Sequence, residues 1–64
     1  MDDTRVYIRH FRKLGFCARG GRAFFLARGW DWFDFLKNGI PASQLEETGD
    51  AQAIRAARLA RELR

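Results

Sequence analysis

The chain has 64 residues, a formal net charge of +4, and a composition that is 47% hydrophobic and 31% charged, which indicates one folded domain. One cysteine, Cys17, excludes an internal disulfide, and one histidine, His10, excludes a zinc site built from Cys and His alone. No apolar run approaches the roughly 18 residues that span a membrane, and the N-terminus lacks the order of a secretory signal. We therefore expect a cytoplasmic protein without a cofactor and without membrane contact.

The small size of the chain limits the stability that its own core supplies. A domain of this length buries only about 60% of the surface that its unfolded chain exposes. Its net stability is then roughly 3–5 kcal/mol, and small domains commonly add a disulfide, a metal or a partner. Because the composition offers neither of the first two, we expect the chain to contact another protein or a second copy of itself.

The N-terminal part predicts an extended start to about Ile8, followed by a short helix over about residues 9–14. Alternation of apolar and polar side chains over residues 5–8 favours a strand. Apolar residues at i, i+4 and i+7 from Tyr7 also fit a helix, so that alternative stays open. Gly15 ends the helix, because glycine adopts the left-handed conformation at little cost.

The second helix is predicted over about residues 17–28, and Gly29 ends it in the same way. Gly20 and Gly21 would fall in its first turns, where each costs about 1 kcal/mol relative to alanine. Either they let another backbone approach closely, or the helix begins after them, at Arg22. The sequence leaves both alternatives open.

The third helix is predicted from the pattern around Asp31, which is a good N-cap. Asp34 occupies the position of the reciprocal capping partner, and Trp30 and Phe35 occupy the two positions of a hydrophobic staple. We interpret the two aspartates as capping groups rather than as a catalytic pair. Gly39 follows the helix and ends it.

The rest of the chain predicts a short helix over about residues 41–48, closed by Gly49, and a last helix over about residues 51–62 that Asp50 caps. An apolar face and a basic face are predicted for the last helix: Ala56, Leu59, Ala60 and Leu63 against Arg55, Arg58 and Arg61. The pattern indicates a single domain over residues 1–64. We expect an all-α or nearly all-α bundle of four to five short helices, with a short N-terminal strand as the open alternative.

The sequence offers few groups for catalysis. A nucleophile or general base needs an orienting partner, and nothing in the spacing requires Cys17 and His10 to meet. We interpret Cys17 as a small buried hydrophobe and place His10 at the surface or half-buried. There is also no phosphate loop and no metal-ligand spacing. We predict that the protein is not an enzyme and has no catalytic or metal-binding residue.

Aromatic residues are concentrated between positions 24 and 36, which hold six of the nine in the chain. Apolar residues at 32, 33, 35 and 36 point nearly all round the third helix, and a core this small cannot easily enclose every ring. We predict a protein interface at Trp30, Trp32, Phe33 and Phe35. The alternative, that all of them are core residues, stays open.

Charge is distributed unevenly, because residues 1–30 and 51–64 are basic and residues 31–50 are acidic. Basic ends suit nucleic acid or an acidic protein surface. The alternative function is therefore a small DNA-binding or regulatory protein that uses its arginine-rich C-terminal helix. A helix-turn-helix over residues 42–56 fits poorly, since Arg55 stands where an apolar residue is expected. The candidate contacts for nucleic acid or an acidic partner are Arg19, Arg22, Arg55, Arg58 and Arg61.

A resemblance to a known group of proteins lies in three segments of the chain: residues 15–25 (GFCARGGRAFF), 29–40 (GWDWFDFLKNGI) and 45–51 (LEETGDA). Over about residues 5–60 the pattern resembles small proteins encoded in tailed phages and prophages of Gram-negative bacteria. The resemblance includes no catalytic or ligand motif, so it transfers no functional residue. It implies a role in virion morphogenesis or in host interaction. We expect a non-enzymatic accessory virion or assembly component that acts by protein–protein contact, in the host cytoplasm or within the phage particle.

Overall fold

The computed structural model of the chain describes residues 4–63. These residues form five helices and two very short strands, in the order β1 (Arg5–Val6), α1 (Ile8–Lys13), α2 (Ala18–Ala27), α3 (Trp32–Asn38), β2 (Ile40–Pro41), α4 (Ala42–Glu46) and α5 (Ala51–Leu63). The predicted nearly all-α fold and the N-terminal strand are confirmed. Within this described part of the chain, no helix has the length and apolar character that crossing a membrane requires.

The strand β1 pairs antiparallel with β2, which the sequence did not predict. Val6 lies opposite Ile40, and Gly39 precedes the pair with a φ of +75°. A Cβ atom at Gly39 would lie 2.8 Å from the Tyr7 ring and 2.9 Å from the Val6 carbonyl oxygen. Only glycine fits this turn, which fastens the N-terminal segment to the middle of the chain.

The helix α2 begins before the two glycines, so the alternative start at Arg22 is wrong. Cys17 is its N-cap, and its Sγ accepts a hydrogen bond from the Gly20 N–H at 3.3 Å. A Cβ atom at Gly21 would lie 3.2 Å from the Trp32 indole. The glycine therefore makes room for a side chain of α3, rather than for another backbone.

The N-terminus of α3 is capped as predicted, since the Asp31 Oδ1 accepts from the Asp34 N–H at 3.0 Å. The carboxylate of Asp34 accepts from the Asn38 side-chain amide at 2.8 Å, one turn further along the helix, instead of reaching back to close the capping box. The expected staple paired Trp30 with Phe35. The ring of Trp30 packs edge-on against Phe25 of α2, with ring centroids 5.3 Å apart. The carboxylates have a structural role at this helix end.

The helix α5 is capped by Asp50, whose Oδ2 accepts from the Ala53 N–H at 2.9 Å. Its buried face differs from the predicted one, because Leu59 is half-buried and Leu63 is 53% exposed. Alanines form that face instead: Ala53, Ala56, Ala57 and Ala60. Small side chains let α4, α1 and β1 pack closely against α5, while larger residues on its flanks face outward.

An aromatic cluster forms the centre of the core. Phe25 and Phe35 are each 1% exposed, and their ring centroids lie 4.6 Å apart. Phe11 and Trp32 complete the cluster, each with its ring centroid 5.3 Å from that of Phe35. Tilted and edge-on ring pairs of this kind stabilise a core beyond the area they bury, by about 0.5–1.5 kcal/mol each.

Candidate interaction surface on helices α2 and α3

Two of the four predicted interface residues are core residues. Trp32 is 7% exposed and Phe35 is 1% exposed, so neither offers contact area to a partner in this fold. For Trp32 the physical reason is Gly21, which leaves a space in α2 that the indole fills, whereas Phe35 is buried against Phe25. The interface prediction is therefore wrong for Trp32 and Phe35, and any contact made by α3 involves other residues of the helix.

Phe33 is the aromatic residue that the fold leaves in solvent. It is 68% exposed, which bears out the expectation that the core cannot enclose every ring. Leu36 follows three residues later on the same side of α3 and is 42% exposed. Phe33 and Leu36 thus form an apolar strip on the exposed side of α3, and Leu36 lies next to the buried side because it follows Trp32 by one turn.

Cations flank this strip, although the exposed carboxylate of Asp34 adjoins it on α3. The guanidinium carbon of Arg22 lies 5.9 Å from the Phe33 ring centroid, so α2 contributes a cation–π contact to a ring of α3. Lys37 is exposed one turn after Phe33, and Arg19 is exposed three residues before Arg22. Leu26, four residues after Arg22, is 59% exposed. We name these residues the Phe33 surface: Arg19, Arg22, Leu26, Phe33, Leu36 and Lys37.

The Phe33 surface includes three residues that were not among the predicted contacts: Leu26, Leu36 and Lys37. The spacing of three and four from Phe33 to Leu36 and Lys37 was a usable signal, because it places them on one side of a helix. Leu26 follows Arg22 by four residues on α2, but this spacing by itself does not place either residue beside Phe33. Its place depends on how α2 lies against α3.

Trp30 is covered on its outer side. It is half-buried, with its ring edge-on to Phe25 and 6.1 Å from Phe24 by centroids. Arg28 stacks over Phe24 with its guanidinium carbon 4.0 Å from the ring centroid, and 6.0 Å from that of Trp30. Trp30 therefore supports the C-terminal end of α2 more than it offers a bare contact face.

The arginines of α5 divide into two groups. Arg55 and Arg58 are exposed. Arg61 is part of the packing between α4 and α5, because its Nη2 and Nε both donate to the Glu46 carboxylate, at 2.5 and 3.4 Å. As a contact to a polyanion, Arg61 would have to give up this ion pair, so the predicted basic set is reduced to Arg55 and Arg58 on this helix.

His10 and Cys17 each differ from their predicted burial. His10 is only 5% exposed, and its Nδ1 accepts from the Tyr7 N–H at 2.8 Å at the start of α1. Burial lowers the pKa of His10, and the neighbouring Arg9 charge lowers it further. Cys17 is exposed and serves as the cap of α2.

These two residues lie toward opposite ends of α5. His10 lines a pocket with Ala60, whereas Cys17 lines an apolar cleft of about 270 Å³ with Ala53. The two alanines are separated along the helix by about 10 Å. Within residues 4–63, moreover, no three His, Cys, Asp or Glu side chains gather as metal ligands.

No protein-family model, curated protein or solved structure matches the chain. Its function is therefore inferred from the exposed side chains and their surroundings. The largest exposed apolar side chain in the described part of the molecule is Phe33, and the Arg22 guanidinium lies over its ring.

Proposed function

We propose that the protein is a non-enzymatic binding module that docks an acidic partner protein through the Phe33 surface. The observation that carries this proposal is the exposure of Phe33 beneath the guanidinium of Arg22, in a chain that buries its other α3 aromatics. Moving an exposed phenylalanine out of water stabilises a complex by about 1.5–3 kcal/mol. Phe33 would be the anchor, and Leu36 would extend the apolar contact.

The partner is expected to be acidic because cations flank the anchor on both sides. Arg22 lies over the ring from α2, and Lys37 follows it on α3. The cation–π contact gains strength when the ring is desolvated, from about 0.5–1 to about 2 kcal/mol. Asp34 is the nearest acidic residue in sequence; its carboxylate accepts from the Asn38 amide and keeps its negative charge, so the cations outnumber it by Arg22 and Lys37 to one. A complementary surface would place carboxylates near Arg22 and Lys37.

As the setting, we propose an accessory structural or assembly component of a phage particle, made in the host cytoplasm. The support for this setting is the resemblance of residues 15–25, 29–40 and 45–51 to small proteins of tailed phages and prophages. A small module with one apolar anchor suits such an accessory role, since it adds a contact without adding chemistry.

The test is to express the chain with each protein encoded beside it and to measure affinity for purified candidates by calorimetry. We expect an acidic partner to bind the wild-type chain and to lose at least about tenfold in affinity with Phe33→Ala. Leu63→Ala is the matched control, because Leu63 is 53% exposed but lies at the end of α5. Equal binding by wild type and Phe33→Ala, or no binder among the neighbours, contradicts the proposal.

A further inference from the structure

The outer side of α1 is entirely basic. Arg9, Arg12 and Lys13 are exposed and fall at i, i+3 and i+4, on one side of the helix, while His10 and Phe11 are buried on the other. Residues 4–30 contain seven Arg or Lys and no Asp or Glu, so no neighbour in this part of the chain neutralises them. This face was not among the predicted sites.

The helix α1 lies antiparallel to α5. His10, on α1, lines a pocket with Ala60 near the C-terminal end of α5. Phe16, just after α1, lines a cleft with Ala53 near the N-terminal end of α5. This arrangement brings the basic end of α1 toward the half of α5 that carries Arg55.

We propose that these two helices form a second binding site, which holds the phosphate backbone of double-stranded DNA without reading its sequence. We name it the α1–α5 basic surface, and its residues are Arg9, Arg12, Lys13, Arg55 and Arg58. All five side chains are exposed. Double-stranded DNA carries one charge per about 1.7 Å of its axis, which gives such a surface a dense array of partners.

The side chains around these cations favour a duplex over the other polyanions. Among residues 4–63 the large exposed hydrophobics are Leu26, Phe33, Leu36 and Leu63, and of these only Leu63 lies on α1 or α5, at the last turn. Single-strand binders stack bases on exposed aromatic rings, and protein interfaces centre on apolar anchors. Leu63 lines a pocket with Arg9 at one end of the surface, and none of the large exposed hydrophobics there is aromatic. A surface of charges with a single aliphatic neighbour at its edge matches phosphate contacts, which position a protein without specifying sequence.

Two further residues define the limits of the surface. Glu62 follows Arg58 by one turn on α5, so negative charge begins toward the C-terminal end. Arg9 is held with its guanidinium carbon 4.5 Å from the Tyr7 ring centroid, which fixes the side chain while its N–H groups remain able to donate. Arg61 is excluded because it binds Glu46.

The experiment measures the affinity of the full chain for a labelled DNA duplex of about 20 base pairs, by fluorescence anisotropy from about 50 to 200 mM salt. Five phosphate contacts predict a slope of about −4.5 for log affinity against log salt, at about −0.9 per contact. Replacing Arg12→Gln together with Lys13→Gln removes two contacts, so the slope should become less steep by about 1.8. A second pair, Arg9→Gln with Arg55→Gln, should give the same change and guards against a local effect of either pair.

The matched control replaces two cations elsewhere, Arg22→Gln with Lys37→Gln, and should leave the slope unchanged. An equal change in this control would mean that net charge alone attracts DNA, which overturns the proposal. Absence of binding at the lowest salt would overturn it too, as would tighter binding of the single strand than of the duplex. Circular dichroism of each variant checks that these exposed substitutions leave the helices intact.

Discussion

The Phe33 surface and the α1–α5 basic surface are both positively charged, yet they differ in what lies between the charges. The first places Arg22 and Lys37 beside an exposed aromatic ring, whereas the second places five cations on two packed helices whose large exposed hydrophobics include no aromatic residue. Apolar burial gives affinity that salt changes little, while phosphate contacts give affinity that salt removes. Positive charge by itself therefore does not define a partner; the side chains beside the charges do.

The largest expected effect is the difference in stability between a substitution in the core, at Trp32, and one at the exposed Phe33. Trp32→Ala should destabilise the fold by about 3–5 kcal/mol, because it empties a space lined by Gly21 and the aromatic cluster. Phe33→Ala should change stability by less than about 0.5 kcal/mol, since the ring is in solvent. Thermal unfolding followed by circular dichroism measures both.

If the two substitutions destabilised the chain equally, Phe33 would be a packing residue and the Phe33 surface would have no exposed anchor. The same measurement on Leu36→Ala, at a position 42% exposed, provides the intermediate case.

The second prediction concerns salt. Between about 50 and 200 mM, a slope of −4.5 lowers affinity for duplex DNA by about 500-fold. Binding of a partner at the Phe33 surface should weaken by less than about tenfold, because apolar burial supplies most of its free energy. Titrations of both ligands at matched salt concentrations check this, and parallel salt dependence would argue for one kind of contact at both sites.

The third prediction concerns His10, which lies under the basic surface. Its folded pKa is below the ordinary 6.5, so it contributes stability that is present above that pH and is lost as pH falls through the folded pKa. Protonation would turn Nδ1 from an acceptor into a donor facing the Tyr7 N–H, and a buried N–H without an acceptor costs about 1–3 kcal/mol.

Urea unfolding measured at a series of pH values down to the range where carboxylates titrate, about pH 4, tests this. His10→Gln keeps an acceptor without a titrating ring and should unfold with little pH dependence above that range. If the variant and wild type lost stability alike between pH 6.5 and the carboxylate range, His10 would not be the group responsible.

The smallest expected effect distinguishes Arg61 from Arg58. Arg61→Gln breaks a partly exposed ion pair with Glu46 and should cost about 1 kcal/mol or less, with no change in the salt slope of DNA binding. Arg58→Gln should leave stability unchanged and make the slope less steep by about 0.9. A change of slope with Arg61→Gln would extend the basic surface toward α4.

The features that were predictable from sequence are local ones. The caps at Asp31 and Asp50 and the ends at Gly15, Gly29 and Gly39 depend on residues within one helical turn, and the structure confirms them. Short-range hydrogen bonds and left-handed glycines leave a direct trace in the residue pattern.

The features that could not be predicted depend on contacts between distant residues. The strand β2 exists because Ile40 pairs with Val6, and the burial of Trp32 depends on a space left by Gly21. Arg61 is excluded from the predicted basic set because its guanidinium binds Glu46 across the contact between α4 and α5. The sequence pattern indicates that the chain has more aromatic rings than its core can enclose. Which ring faces solvent depends on how the neighbouring helix packs.

If the Phe33 surface and the α1–α5 basic surface are separate sites, substitutions in one must spare the ligand of the other. Affinities for the duplex and for the acidic partner are compared in two double variants, Phe33→Ser with Leu36→Ser, and Arg12→Gln with Lys13→Gln. We predict that the first variant loses the partner and keeps the duplex, and that the second weakens the duplex and keeps the partner. Loss of both ligands in either folded variant would contradict the existence of two sites.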